Sequence, residues 1–138
     1  MEIHLAIESD ISVLAELNHQ LIKDEGHRNP MLVEELKGRM RSWLSSDYSA
    51  ALFVDQGEIT GYTLWRQEKG FIYIRQFFIT SNFRGKGNGQ RAFYLVRDKY
   101  WSNQKLRLDV LVNNYRGLAF WRSVGFGEYC LTMESSIA

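Results

Sequence analysis

Three glycines alternate at positions 85, 87 and 89 in the run Arg84-Gly85-Lys86-Gly87-Asn88-Gly89-Gln90. The run lies between a segment that reads as a strand and one that reads as a helix. Glycine permits backbone conformations and close approaches that a side chain forbids. Consecutive N–H groups can then face one concavity, and the unpaired N–H groups of the following helix point the same way. Such an arrangement binds phosphate, and Arg84 and Lys86 add positive charge beside it. A Walker loop is excluded. It needs Gly five residues ahead of Gly-Lys-Ser/Thr, but Gly85-Lys86 is followed by Gly87, and Thr80 stands five positions earlier. The dinucleotide fingerprint fits literally as Gly87-x-Gly89-x-x-Ala92, which keeps a nicotinamide oxidoreductase in view. Its expected acid, Asp109, is flanked by Leu108 and Val110 inside a predicted strand. Only 49 residues follow Gly89, too few for the rest of such a domain.

The surrounding elements follow from periodicity. Glu2–Ile7 alternates Ile3, Leu5 and Ile7 as a short strand. Ser9 or Asp10 caps a helix carrying Ile11, Leu14, Leu17, Leu21 and Ile22, which ends near 24–26. Asn29-Pro30 reads as the start of a second helix, with Val33, Leu36, Met40, Trp43 and Leu44 on one face. Ala50–Asp55 and Glu58–Arg66 form a hairpin turning at Gln56-Gly57, and Gly70–Thr80 is a third strand. A helix over about 89–102, a strand over 105–112, a helix over 114–124 and a strand over 128–134 complete the chain. This order predicts an α/β (α+β) architecture, a mixed sheet with helices on both faces.

Length and composition set the frame. The chain has 138 residues, 45% hydrophobic and 24% charged, which predicts one domain over residues 1–138. The one cysteine, Cys130, leaves no intramolecular disulfide and no basis for a cysteine-based metal site; it reads as a small core residue. Uninterrupted apolar runs reach only five residues, at Ala50–Val54 and Ala92–Val96, so no membrane span is expected. Met1-Glu2-Ile3-His4 lacks the features of a signal peptide, and the expected compartment is the cytoplasm. The net charge of +1 argues against a general nucleic-acid binder. Charge is nonetheless segregated: residues 1–35 carry eight acids against two bases, and residues 81–107 carry seven bases against one acid. An anion met by the middle of the chain and a cation met by its beginning are consistent with this. Aromatics near Trp101 or Tyr129 could form the face of a homodimer.

Two motifs carry a resemblance to a known family. Arg84-Gly85-Lys86-Gly87-Asn88-Gly89 is similar to the Arg/Gln-x-x-Gly-x-Gly/Ala pyrophosphate loop of the GNAT superfamily of acetyl-CoA-dependent N-acetyltransferases. The stretch from Asn114 to Phe126 resembles that family's Asn-x-x-Ala-x-x-Phe-Tyr-x-x-x-Gly-Phe signature. The resemblance implies a GNAT-like acyl-CoA N-acyltransferase fold. Its mixed sheet would be splayed between the strands at 70–80 and 105–112, with acetyl-CoA in the gap and no metal.

The resemblance also implies roles. Arg84 and the amides of Gly85, Lys86, Gly87, Asn88, Gly89 and Gln90 would hold the pyrophosphate. The backbone of Phe77, Phe78 and Ile79 would pair with the pantetheine arm, a bulge there splaying the neighbouring strand. Asn114 would bond the arm or its phosphate end, and Phe120 and Trp121 would pack on it. Two positions depart from the pattern: Gly117 replaces the Ala, and Trp121 replaces the Tyr that often serves as general acid. Indole donates no proton near neutral pH, so Tyr115 or solvent would have to substitute. The acceptor would sit near Asp24-Glu25-Gly26-His27, with Glu25 and His27 candidates for general base. Tyr73, Arg75 and Gln76 could reach the cleft, with Asp109 a partner for Arg75 or Gln76. The function implied is acetyl transfer to a primary amine, small molecule before protein, by direct attack in a ternary complex. The alternative is a non-catalytic acyl-CoA-binding sensor or interaction module of the same fold, which Trp121 favours.

Overall fold

Alternation along the strands builds two cores, one on each side of a single sheet. The computed structural model describes residues 1–26 and 29–137. In β2 (Tyr48–Asp55), Ala51 and Phe53 face one core, while Ala50 and Leu52 face the other. β1 (Glu2–Leu5), β2, β3 (Glu58–Glu68), β4 (Phe71–Ile79) and β5 (Lys105–Arg107) lie in chain order across the sheet. Only β4 and β5 run parallel; the other neighbours are antiparallel. The β2–β3 turn has φ +50° at Gln56 and +80° at Gly57, as expected of an Asn/Gly-type hairpin.

Helices cover both faces. α1 (Ile11–Asp24) and α2 (Val33–Ser45) place Ile11, Leu14, Leu17 and Met40 against Tyr62, Leu64 and Phe78. On the opposite face, α3 (Asn88–Tyr100) contributes Ala92, Phe93 and Val96, and α4 (Tyr115–Ser123) adds Phe120 and Trp121. Each large apolar side chain buried here contributes about 1.5–3 kcal/mol. Among the described residues no helix is long and apolar enough to cross a membrane.

One irregularity positions the site. Along the β3–β4 ladder Leu64 pairs with Gln76 but Trp65 pairs with Ile74, so Arg75 is an extra residue, a β-bulge. Ile72 and Ile74 before the bulge, and Phe77 and Ile79 after it, then face the same core. Arg75 and Gln76 are both turned toward α1 and α2, where they meet Tyr48 and Tyr62. β4 pairs with β5 only at Phe71–Tyr73. From Ile74 to Ile79 its edge on that side carries no strand, so the sheet opens where the splay was expected.

Several expectations need correction. α2 starts at Val33; ahead of it the Asn29 side chain accepts from the Met31 amide at 3.0 Å, forming a turn. The strand expected over 105–112 stops at Arg107, because past Tyr73 the bulged β4 bends away from it. No strand forms over 128–134, and Tyr129, Leu131 and Met133 are exposed. Cys130 is therefore exposed, not a core residue. Trp101 is fully buried, packed edge-on to Trp65 at 5.5 Å, and offers nothing to a dimer face.

Gly61 shows how closely β3 and β4 approach. A Cβ there would lie 2.0 Å from the Phe78 carbonyl oxygen. Gly61→Ala should cost about 1–3 kcal/mol or more, since backbone must move to admit the methyl. Urea unfolding of the variant against wild type measures the loss.

Candidate functional site

The glycine loop divides its labour. Gly85 and Gly87 have φ of +75° and +76°, the left-handed region that glycine enters without strain. Gly87 is the N-cap of α3; no side chain caps that end and no acid lies in its first turn. The first N–H groups of α3 therefore lack both helical and side-chain partners, and the helix dipole places about half a positive charge there. Gly85, Lys86 and Gly87 are exposed. Gly89 serves packing instead: a Cβ would sit 2.9 Å from the Phe120 ring. Buried Asn88 braces the loop, donating to the Phe83 carbonyl at 2.9 Å and accepting from Arg91 at 3.0 Å.

Arg84 is turned inward. Its Nε donates to the Ile79 carbonyl at 2.8 Å, and its Nη1 meets Asp24 Oδ1 at 2.9 Å. Arg116 on α4 meets the other Asp24 oxygen at 2.7 Å. Asp24 thus joins the end of α1 to the loop and to the start of α4, with both carboxylate oxygens engaged. On α4, Asn114 is the N-cap and accepts from the Gly117 amide at 3.0 Å. A Cβ at Gly117 would come within 2.5 Å of the Asn114 side chain, so the close cap accounts for glycine at that position. Phe120 stacks on Phe77 at 5.7 Å, and Trp121 packs against Phe77, Phe93 and Phe126. These rings form the apolar floor beneath the β4 edge.

At the mouth of the opening, the Tyr73 hydroxyl donates to Asp109 Oδ2 at 3.0 Å. Burial, then the bond to Asp109, pushes the Tyr73 hydroxyl up to about 12. Asp109 therefore partners Tyr73, and neither Arg75 nor Gln76 as expected. Arg75 is exposed and donates to the Tyr48 hydroxyl at 3.3 Å. Gln76 accepts from the Tyr62 hydroxyl at 2.7 Å. Burial also drives the Tyr62 hydroxyl well above its ordinary range.

The site thus consists of a glycine cradle opening onto an unpaired strand edge above an aromatic floor. A sequence model described as the acetyltransferase (GNAT) family matches residues 14–126. The chain belongs to the GNAT acetyltransferase family. No curated protein matches it by sequence. Solved structures share the fold. A mutant BH1408 protein from Bacillus halodurans superposes with a TM-score of 0.80 at 23% identity, covering 100% of both chains. A possible acetyltransferase from Clostridium difficile 630 gives 0.78 at 18% identity, covering 99% of this chain and 97% of the other. The aminoglycoside N-acetyltransferase AAC(6')-Iy, crystallised with CoA, gives 0.77 at 12% identity, covering 99% and 93%.

For a GNAT acetyltransferase, the donor is acetyl-CoA and the reaction is acetyl transfer to an amine. The cradle has the properties a pyrophosphate needs: exposed left-handed glycines, an uncapped helix start and no competing acid in the first turn. Glu25 closes α1, its amide donating to the Leu21 carbonyl at 3.0 Å, and lies within electrostatic reach of Tyr62. His27 falls outside the described residues. Tyr115 is 77% exposed at the first turn of α4. Sequence reasoning missed Asn18, Arg39, Trp43, Tyr48 and Tyr62, which surround Arg75 and Gln76. A signal existed for Asn18, a polar residue in the apolar line Leu14, Asn18, Ile22 at helical spacing.

Two outcomes test this geometry. Gly87→Ala forces a side chain into left-handed backbone at about 1–2 kcal/mol. It should weaken coenzyme A binding roughly tenfold by calorimetry, with a folding transition still present. The Tyr73 proton contributes stability that is complete below its unfolded value near 10 and is lost as pH rises through about 12. Alkaline titration by tyrosinate absorbance should lose that late step in Tyr73→Phe.

Proposed function

We propose that the protein acetylates the primary amine of a small molecule by direct attack on acetyl-CoA within a ternary complex. The observation that carries this reading is the glycine cradle opening onto the unpaired β4 edge from Ile74 to Ile79. An extended pantetheine arm can lie along that edge as an added strand, its apolar parts on Phe120 and Trp121. The amides of Gly85 to Gln90 receive the pyrophosphate, and Asn114, whose Oδ1 caps α4, keeps its amide NH₂ for the arm. An amine reaching the end of the arm would meet side chains of β4, α1 and α2. The neighbour AAC(6')-Iy has been captured with a bisubstrate analogue joining CoA to an aminoglycoside, which supports transfer without a covalent enzyme intermediate.

The chemistry asks for two proton movements. The amine must lose a proton before it attacks; Glu25, which closes α1, and His27, two residues on in sequence, are the groups assigned to take it. The departing thiolate has no strong acid to meet. Trp121 donates no proton at neutral pH, and the Tyr73 hydroxyl holds its proton up to about 12. A thiolate leaves tolerably without one. Holding the reactants together is worth about 7–11 kcal/mol, whereas general acid catalysis adds only about 10²–10⁴-fold.

Initial rates of thiol release over varied acetyl-CoA and amine should give intersecting lines. Parallel lines would indicate a covalent intermediate; binding of acetyl-CoA with no release for any amine would favour the sensor module. Replacing Glu25 and His27 together by glutamine should lower turnover on the order of 10²-fold or more, with acetyl-CoA affinity unchanged by calorimetry.

A further inference from the structure

Two arginines converge on one indole beside the opening. The guanidinium carbons of Arg39 on α2 and Arg75 on β4 lie 4.6 and 4.9 Å from the Trp43 ring centroid. Arg39 donates to Asn18 Oδ1 at 3.0 Å, while its Nε is buried without a partner among the described residues. Asn18 itself is fully buried. Among the described residues neither guanidinium has a carboxylate within ion-pair distance. Two of the acids in this region are engaged: Glu68 pairs with Arg66, and Asp109 accepts from Tyr73. Like charges this close repel, and each cation–π contact returns only about 0.5–2 kcal/mol. The pair is complete once an anion joins it.

Its place in the sheet indicates which anion. Arg75 is the bulged residue at the start of the open β4 edge. From Ile79, beside the pyrophosphate cradle, back to Arg75 is four residue steps, roughly 13 Å of strand. On the functional reading above, an arm laid along that edge brings its acyl end to Gln76 and Arg75. A group held by Arg75 then belongs to the acceptor. A planar guanidinium matches a planar carboxylate through two parallel hydrogen bonds. We propose that Arg75, with Arg39 behind it, binds a carboxylate of the acceptor, so that the amine acetylated is that of an amino acid or a related amino-carboxylic acid. Within the acidic first third of the chain, the Asp24 carboxylate is held by Arg84 and Arg116, which leaves Glu25 to face the acceptor's amine on the functional reading above.

The test pairs each common α-amino acid with its own amide, and adds ethanolamine phosphate and a polycationic aminoglycoside. Thiol release from acetyl-CoA should favour the best acid over its amide by about 10–100-fold in kcat/KM, mainly through KM. Arg75→Gln should collapse that preference toward one, and Arg75→Lys should restore part of it. Equal rates for acid and amide, or preference for the aminoglycoside or the phosphate, overturn the proposal while leaving the transferase reading intact. Turnover of no amine at all sinks the transferase reading instead. Calorimetry with the N-acetylated acid and its amide then still decides. Tighter binding of the acid in wild type, lost in Arg75→Gln, supports the carboxylate site, and equal binding overturns it.

Discussion

A single extra residue in β4 sets the geometry of the whole cleft. Without the bulge at Arg75, strict alternation would put Ile72, Ile74, Gln76 and Phe78 on one face and run the polar Gln76 into the apolar core under α3. With it, Ile72, Ile74, Phe77 and Ile79 all reach that core, and Gln76 stays with Tyr62 on the other side. The bend that restores the apolar pattern also carries β4 away from β5, whose pairing ends at Tyr73. Core packing and the opening of the site are therefore one event: the chain cannot repair the ladder without misplacing its own hydrophobic residues.

The cradle follows from how the cations near it are used. Arg84 is spent on the Ile79 carbonyl and on Asp24, so it fixes the turn and does not project from it. The positive potential presented outward comes from backbone amides and the α3 dipole, with exposed Lys86 at the rim. Amides cost no side-chain entropy on binding and hold a fixed geometry, which suits a diphosphate better than mobile guanidiniums. Asp24 gives the arrangement a second consequence. It ties the end of α1, next to Glu25, to the loop and to α4. The ends of the two proposed substrate sites thus share one carboxylate. Arg116 is largely exposed, and its bond adds little stability but sets orientation.

Much of this was legible in the letters, for identifiable reasons. The glycine run is local: Gly85 and Gly87 need left-handed backbone, and that requirement is written at the residues themselves. Strand alternation and the apolar lines of α1 and α3 are likewise short-range patterns. What escaped depends on partners far apart in sequence. The segment 128–134 has the alternation of a strand but pairs with no edge of the sheet, and periodicity alone does not create a ladder. Asp109 was expected to pair with Arg75 or Gln76; instead it meets Tyr73, which shares a face with Arg75 by plain alternation, while Arg75 meets Tyr48 and the bulge adds Gln76 to that face. Gly117 departs from the Ala of the family pattern, and the space it leaves is filled by the Asn114 cap.

The replacement of the usual tyrosine by Trp121 fits this framework as a trade rather than a loss. Trp121 touches Phe77, Phe93, Phe120 and Phe126, so the indole ties α4 to the floor under the β4 edge. A phenol there would fill less space and would bring a hydroxyl needing a partner among rings that offer none. Tyr62 and Tyr73 keep their protons, Tyr62 through burial and Tyr73 through burial and the bond to Asp109. Neither tyrosine therefore offers a ready proton to the leaving thiolate at neutral pH. For a thioester, whose leaving group tolerates departure as an anion, a rigid cleft that aligns the amine is worth more than the proton it forgoes.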